Sequence, residues 1–150
     1  MDLLLWRHAD ARDARSGEDD LQRPLTPQGE HQAERIGRWL AAVLPADTQI
    51  LVSPARRTQE TAQALGRPFQ TSQMLAPDAS VAAVLQAAGW PGARRPVLVV
   101  GHQPTLGLVA SSLMCGTAQH WSVPRASVWW LRSEDGGTAS LVGMRAPEHA

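Results

Sequence analysis

Three short runs of apolar residues stand out along the chain, and each has the length of a β-strand. They cover residues 3–6, 49–52 and 97–101. Nearly continuous apolar runs of this length are typical of parallel strands that are covered on both faces. The pattern therefore predicts three parallel strands, with residues 3–6 as the central strand of the sheet.

Between these runs, apolar residues recur at helical spacing, which predicts helices. One helix is expected to begin after Thr26 as its N-cap and to end at Pro45, and a second to begin at Ser53 and to end near Gly66. In both helices a proline follows the capping residue and occupies the first helical position.

Two more helices and a hairpin complete the predicted elements. The third helix follows Ser80, and the fourth runs from about Gln103 to Gly116. Residues 126–132 and 138–144 flank the turn sequence SEDGG and are predicted to form an antiparallel edge hairpin. Strands that alternate with helices indicate an α/β fold with a mostly parallel sheet. No repeat or linker divides the chain, so we expect one domain that spans all 150 residues.

Composition narrows the possible function classes. The chain has 14 basic residues, all of them arginine, and 14 acidic residues. With no net charge, the molecule as a whole would not be attracted to nucleic acid or to a membrane. Its single cysteine, Cys115, excludes an internal disulfide, and the sequence contains neither a signal peptide nor a run of ~18 apolar residues. We therefore expect a cytoplasmic protein.

Several common catalytic motifs are absent from the sequence. There is no G-x-x-x-x-G-K-[ST] loop for a nucleotide, no G-x-S-x-G turn for a serine hydrolase, and no H-E-x-x-H or paired cysteines for a metal. Cys115 has Trp121 and not an arginine six residues later, which excludes the loop of a thiolate phosphatase. We expect no cofactor and no metal.

Polar residues follow all three predicted strands at the point where each strand ends. Arg7 and His8 follow the first, SPARR at 53–57 follows the second, and GHQP at 101–104 follows the third. Ligands of open α/β sheets bind at the carboxyl ends of the strands. One such segment is typical of a chain that turns into solvent, but three would gather guanidinium and imidazole groups at one edge. That arrangement is costly without a multiply charged anion, and phosphate is the natural candidate.

Histidine is the best nucleophile among these residues. A ring nitrogen can attack phosphorus in line and form a phosphohistidine that water later hydrolyses. Arginines would hold the phosphoryl oxygens, and a second imidazole would donate to the charge that develops in the transition state. The start of the fourth helix could add backbone N–H donors.

Four segments, taken in order, resemble the histidine phosphatase superfamily, the phosphoglycerate mutase-like proteins. They are RHA at 7–9, RPLTPQG at 23–29, SPARRTQET at 53–61 and GHQP at 101–104. Within that superfamily, the short chain and the R-P-L-T-x-x-G segment look most like the SixA-type phosphohistidine phosphatases. The resemblance implies a three-layer α/β/α sandwich and a metal-independent phosphatase.

The same resemblance implies the catalytic residues. His8 corresponds to the nucleophile, and Arg7, Arg57 and His102 complete the phosphate pocket. The family pattern S-x-x-x-R selects Arg57 over its neighbour Arg56, which we expect to be solvated.

Three more residues are predicted to bind substrate. Gln103 belongs to the GHQP segment, Asp10 directly follows the RHA segment, and Asp78 is the only carboxylate in residues 67–96. We expect Asp10 to orient an imidazole or a water molecule. Asp78 lies in the region where the mutases of the superfamily carry a glutamate proton donor.

Two departures from the superfamily pattern bear on the pocket. Ala9 stands where most members have glycine; if that position required a positive φ, alanine would introduce mild strain, which we expect to be tolerated. Residues 67–96 are too few for the large capping insertion of the mutases, so the pocket should be open. The polar residues 9–23 are interpreted either as a lid or docking rim, or as a mobile solvated loop.

The predicted reaction removes phosphate from a histidine of a signalling or phosphotransfer protein, through a phosphohistidine enzyme intermediate. An open pocket suits a histidine on a protein surface better than a small metabolite that must be enclosed. Two alternatives stay open: a phosphatase of small phosphomonoesters such as a sugar phosphate or a nucleotide, and a non-catalytic phosphate-binding module. Neither nucleic acid nor a membrane is expected as a partner.

Overall fold

The computed structural model describes all 150 residues, and it contains one six-stranded sheet. The strands are β1 (Asp2–Arg7), β2 (Gln49–Val52), β3 (Gln70–Thr71), β4 (Val97–Gly101), β5 (Val128–Arg132) and β6 (Ser140–Arg145). Across the sheet they lie in the order β3-β2-β4-β1-β5-β6. The first four strands in that order pair in parallel, and the last two are antiparallel.

This topology confirms the predicted mostly parallel sheet with an antiparallel edge hairpin. It also confirms that β1 lies inside the sheet, between β4 and β5. The sequence pattern does not predict β3, because two exposed polar residues at a sheet edge carry no apolar alternation.

Four helices cover the two faces of the sheet. They are α1 (Pro27–Val43), α2 (Arg56–Gln63), α3 (Val81–Ala88) and α4 (Thr105–Cys115). Buried residues of α1 and α2 pack on one face, and those of α3 and α4 pack on the other. The arrangement is the expected three-layer α/β/α sandwich. None of these helices has the length and apolar character needed to span a membrane.

The predicted helix caps are confirmed at two helices and wrong at one. The Thr26 side chain accepts a hydrogen bond from the backbone N–H of Gly29 at 3.0 Å, and Ser80 likewise caps α3. The second predicted helix, however, begins at Arg56 and not at Ser53. The Ser53 hydroxyl lies 2.7 Å from Nε2 of His102, so this serine belongs to a side-chain network and residues 53–55 remain a connection.

Strand β1 is buried on both faces. Leu4 and Trp6 belong to the hydrophobic cluster beneath α1 and α2, whereas Leu3 and Leu5 belong to the cluster beneath α3 and α4. All four side chains are fully buried, and each contributes about 1.5–3 kcal/mol of hydrophobic free energy. Because neither face is free, the backbone that leads into Arg7 is fixed by packing on both sides.

Gly29 explains why helix α1 can approach the end of β1 so closely. A Cβ at this position would collide with the carbonyl oxygen of Asp10 and would lie 2.9 Å from its carbonyl carbon. The glycine of the R-P-L-T-x-x-G segment is therefore required by a close approach of two backbones. That contact fixes the chain two residues beyond His8.

Candidate active site

A polar cavity of about 360 Å³ opens at the carboxyl ends of β1 and β4. Only one of its 12 lining residues is hydrophobic. Four arginines and two histidines contribute to the lining: Arg7, Arg23, Arg57, Arg125, His8 and His102. Three carboxylates also line the cavity, those of Asp13, Asp20 and Asp78. The sheet edge thus gathers the positive charge that the strand ends predict.

His8 presents one defined ring nitrogen to this cavity. Its Nδ1 lies 2.8 Å from the carbonyl oxygen of Ala9. A carbonyl oxygen can only accept a hydrogen bond, so Nδ1 carries the proton and Nε2 keeps its lone pair. Burial is the main cause that lowers the pKa of His8 to about 4; the Ala9 hydrogen bond opposes this, and neighbouring arginines add to it. The imidazole is therefore neutral at neutral pH, as a nucleophile must be.

His102 lies beside His8, with ring centroids 5.3 Å apart. Its Nε2 is 2.7 Å from the Ser53 hydroxyl, while Nδ1 has no hydrogen-bond partner within the protein. Burial, followed by the neighbouring His8 and the positive charge of Arg57, lowers the pKa of His102 to about 3. Ser53 thus fixes the ring plane and leaves Nδ1 available to a ligand.

Arg7 is held by the segment that leads into β5. One terminal nitrogen donates to the carbonyl oxygen of Val123 at 2.9 Å. Its Nε is buried and has no hydrogen-bond partner, although buried N–H groups are normally paired. The guanidinium group is thus anchored at one end and keeps a donor that is not satisfied by the protein.

Arg57 and Arg56 have opposite surroundings. The Arg57 side chain is only 4% exposed and lines the cavity, whereas the Arg56 side chain is 51% exposed and pairs with Glu60 on the surface of α2. Nε of Arg57 is buried without a partner, as in Arg7. The structure therefore brings Arg57, and not Arg56, together with His8 and His102.

The three further residues predicted to bind substrate have different positions. Asp78 lines the cavity but is exposed, with its backbone in the left-handed region (φ 65°). Gln103 also lines the cavity, yet both ends of its amide are used: Nε2 donates to Trp121 O, and Oε1 accepts from Gly107 N. The Gln103 side chain therefore anchors α4 to the adjacent loop, and one N–H of its Nε2 has no partner in the protein.

Asp10 does not line the cavity. One carboxylate oxygen accepts from the Thr26 hydroxyl at 2.6 Å, and the other lies 3.1 Å from Arg125. Asp10 makes no hydrogen bond to either imidazole, so the expectation that it orients an imidazole is wrong. Ala9 is fully buried and its φ is not positive, so alanine introduces no backbone strain there.

Asp20, Arg23 and Arg125 enter the site without having been predicted as site residues. The loop of residues 9–23 contains no apolar period, so the sequence gives no sign of which of its polar side chains turn inward. In the structure, a bidentate ion pair between Arg12 and Glu18 and a short 3-10 helix at Asp20–Gln22 order this loop. The only available signal was the position of Arg23 in the R-P-L-T-x-x-G segment.

No group of three or more His, Cys, Asp or Glu side chains is arranged to bind a metal ion. The chemistry that the cavity can perform with its own side chains is nucleophilic attack by His8 on an anionic centre that arginines hold. A phosphoryl group fits this description, because its oxygens accept from guanidinium groups and its phosphorus is electrophilic.

Comparison with known proteins identifies the family. The sequence model of the histidine phosphatase superfamily (branch 1) matches residues 3–78, about half of the chain. The chain belongs to this superfamily. An uncharacterized protein of Picosynechococcus sp. is 36% identical over 141 residues, which cover 89% of this chain and 86% of that protein.

Similar proteins include some that carry the SixA name. The phosphohistidine phosphatase SixA of Escherichia coli is 30% identical over 125 residues, which cover 77% of this chain and 76% of that protein. Among solved structures, the protein histidine phosphatase SixA complexed with tungstate has a TM-score of 0.80, with 22% identity and coverage of 98% of this chain and 97% of that one. This histidine phosphatase therefore shares its fold with SixA over almost its whole length.

Proposed function

We propose that this histidine phosphatase removes the phosphoryl group from a phosphohistidine on a signalling or phosphotransfer protein. The observation that carries the proposal is the pairing of a neutral His8, whose Nε2 is free, with two buried arginine Nε donors that have no partner in the protein. The proposal needs neither a cofactor nor a metal, and it keeps the expected cytoplasmic location.

In the first step, Nε2 of His8 attacks phosphorus and the bond between phosphorus and the substrate imidazole breaks. When the other nitrogen of the substrate ring is protonated, the substrate leaves as a neutral imidazole. His8 then carries the phosphoryl group and keeps its Nδ1 proton on the carbonyl oxygen of Ala9. Arg7 and Arg57 hold the phosphoryl oxygens, and His102 lies where its Nδ1 can donate to one of them.

In the second step, water attacks phosphorus and the bond to His8 breaks. His8 leaves as the same neutral tautomer that began the cycle, and the proton lost by water passes to the phosphate or to solvent. The net reaction consumes one water molecule and yields histidine and inorganic phosphate. Both steps reuse the same arrangement of donors, which is why a single compact pocket is sufficient.

The choice of phosphohistidine over an ester rests on proton donation. An alkoxide is a strong base and its departure needs a general acid, whereas a neutral imidazole needs none. The three carboxylates in the cavity lining, those of Asp13, Asp20 and Asp78, are all exposed. Asp20 accepts hydrogen bonds from two arginines. None of these carboxylates is therefore well suited to give a proton to an ester leaving group.

The shape of the cavity supports a protein substrate. It is open to solvent, and no inserted domain covers it, because only the short helices between β3 and β4 occupy residues 72–96. A phosphohistidine on a protein surface can enter such a pocket while the rest of its carrier stays outside.

The test is a panel of substrates at equal concentration: a phosphohistidine protein, a sugar phosphate and a nucleotide. We expect hydrolysis of the phosphohistidine protein and an acid-labile phosphate on the wild-type enzyme. His8→Ala should lower the rate by at least about 10³-fold. His31→Ala is the matched control, because His31 is exposed on α1 and does not line the cavity.

Each alternative predicts a different result. Rapid turnover of the sugar phosphate or nucleotide, with none on phosphohistidine, would replace the proposal with a small-molecule phosphatase. Binding of inorganic phosphate without turnover of any substrate would indicate a non-catalytic module. Full activity of His8→Ala would disprove the covalent route whatever the substrate.

A further inference from the structure

One residue of the loop, Asp20, joins two arginines of the cavity. Its carboxylate accepts from Nη2 of Arg57 at 3.1 Å through one oxygen and from Nε of Arg23 at 2.8 Å through the other. Its main-chain carbonyl accepts from Nη1 of Arg57 at 2.9 Å. Both terminal nitrogens of Arg57 are therefore held by a single residue.

These contacts leave a specific set of donors for a ligand. Arg57 uses one N–H of each terminal nitrogen, so the second N–H of each and the buried Nε have no partner in the protein. Arg23 also donates from Nη1 to the carbonyl oxygen of Arg12 at 2.8 Å, so its Nη2 is the nitrogen without a partner in the protein. Both side chains line the cavity that contains His8. Asp20 thus holds two guanidinium groups while several of their N–H donors have no partner in the protein.

Charge explains why an acid occupies this position. Arg57 is almost completely buried, and an uncompensated buried cation destabilises a protein strongly. Arginine side chains also have considerable rotamer entropy, which a two-point contact removes before substrate binds. Asp20 supplies both compensation and orientation.

Protonation argues against a different role for Asp20 as a proton donor. Burial alone would raise the pKa of Asp20, but the hydrogen bond from Arg23 and the positive charges of Arg57 and Arg23 outweigh it. The pKa consequently lies below its ordinary value. A carboxylate that stays ionised is an acceptor for guanidinium groups and a poor acid.

We propose that Asp20 is a positioning residue that fixes Arg57 and Arg23 for the phosphoryl group, and that Nη2 of Arg23 is a third arginine contact with substrate. The inference rests on the proposed function, because it concerns the same pocket. It adds Arg23 to Arg7 and Arg57 as a substrate contact. It also assigns residues 9–23 a function, which is to position these arginines.

The first test compares Asp20→Asn with Asp19→Asn. Asp19 is the adjacent carboxylate, and it caps the short 3-10 helix without contacting an arginine. Asp20→Asn should lower kcat by about 10- to 100-fold, because donors that act in the transition state lose their orientation. Its KM should change by less than about threefold, since the lost negative charge favours binding of an anion and offsets weaker contacts. Asp19→Asn should retain wild-type kcat.

Arg23 is tested by binding of inorganic phosphate, measured by calorimetry. Arg23→Gln should weaken binding by about tenfold, whereas Arg15→Gln, which removes an exposed loop arginine outside the cavity, should leave it unchanged. Because Asp20 acts through Arg23 and Arg57, the double variant with Asp20→Asn and Arg23→Gln should lose less kcat than the two single losses combined. Circular dichroism of each variant excludes a folding defect. Asp20→Glu keeps the negative charge and should recover part of kcat.

The outcomes separate this inference from the proposed function. If Asp20→Asn and Asp19→Asn have the same kcat, or if the two cavity substitutions are fully additive, the positioning role is wrong. Unchanged phosphate binding by Arg23→Gln would remove the third contact. A wild-type enzyme that binds phosphate but does not hydrolyse phosphohistidine would overturn only the proposed function, because the binding measurements need no phosphohistidine.

Discussion

Replacing Gly29 by alanine tests whether the contact between α1 and Asp10 positions the nucleophile. The new Cβ would collide with the carbonyl oxygen of Asp10, to which it would be closer than ordinary contact, 3.4 Å, by more than an ångström. The two backbones must therefore separate by more than an ångström. Since Asp10 is two residues beyond His8, the shift reaches the loop that holds Ala9 and the His8 ring.

Two opposing effects set the expected stability. Overpacking costs about 1–3 kcal/mol, while replacing a helical glycine by alanine normally gains about 0.5–1 kcal/mol. The net loss of about 1–2 kcal/mol corresponds to a decrease in Tm of about 2–8 °C for a chain of this size. A misplacement of 1 Å costs about 100-fold in rate. When α1 and the loop share the separation equally, the loop moves by roughly half an ångström, which should reduce kcat by about tenfold.

The assay is thermal unfolding together with turnover of the same preparation. Gly92→Ala is the matched control, because a Cβ at Gly92 meets no atom within 4 Å and that residue is exposed. Wild-type Tm and wild-type kcat for Gly29→Ala would show that the close approach does not constrain the loop beyond His8.

Three further predictions follow from the cavity. Arg57→Gln should reduce kcat by about 100- to 1,000-fold, whereas Arg56→Gln should have little effect in the same assay. Activity should decline as the pH falls towards about 4, where His8 becomes protonated, and constant kcat/KM through that pH would contradict the assignment. The pKa of both histidines is lower in the folded chain than the ordinary 6.5. As the pH falls, the unfolded chain therefore binds protons first, and the free energy of unfolding decreases below pH 6.5. Urea unfolding at about pH 5 should show a loss of about 2 kcal/mol for each histidine, and His102→Gln should remove its share.

The elements that sequence predicts well are those whose burial produces a period. The three buried strands and the four helices follow from apolar spacing, since each must cover a face of the same core. The start of α2 is different. Ser53 has the type of residue and the following proline that usually cap a helix, but its hydroxyl lies beside His102. A contact between residues so distant in the chain has no local signal.

The residues of the site likewise differ in whether the local sequence predicts them. Arg7, His8 and His102 lie at the ends of continuous apolar strands, so their convergence can be predicted from topology. The loop of residues 9–23 has many acids and no period, and sequence order favoured Asp10 because it is near His8 in the chain. In the folded protein the 3-10 helix at Asp20–Gln22 brings Asp20 to Arg57 instead. Which acid turns inward depends on tertiary packing that the local sequence does not encode.

The antiparallel strand β5 has a consequence for the order of folding during synthesis. The segment that enters β5 holds the end of β1: Ser127 O accepts from Arg7 N, Ala126 N donates to His8 O, and Val123 O accepts from the Arg7 side chain. A nascent chain that has not yet emerged beyond β5 lacks all of these bonds. Arg7 and His8 are synthesised early, but their hydrogen-bond partners lie more than a hundred positions later in the chain. A partly synthesised chain would hold an unfinished pocket, so we expect activity only after residues 123–127 have been translated and have folded onto β1.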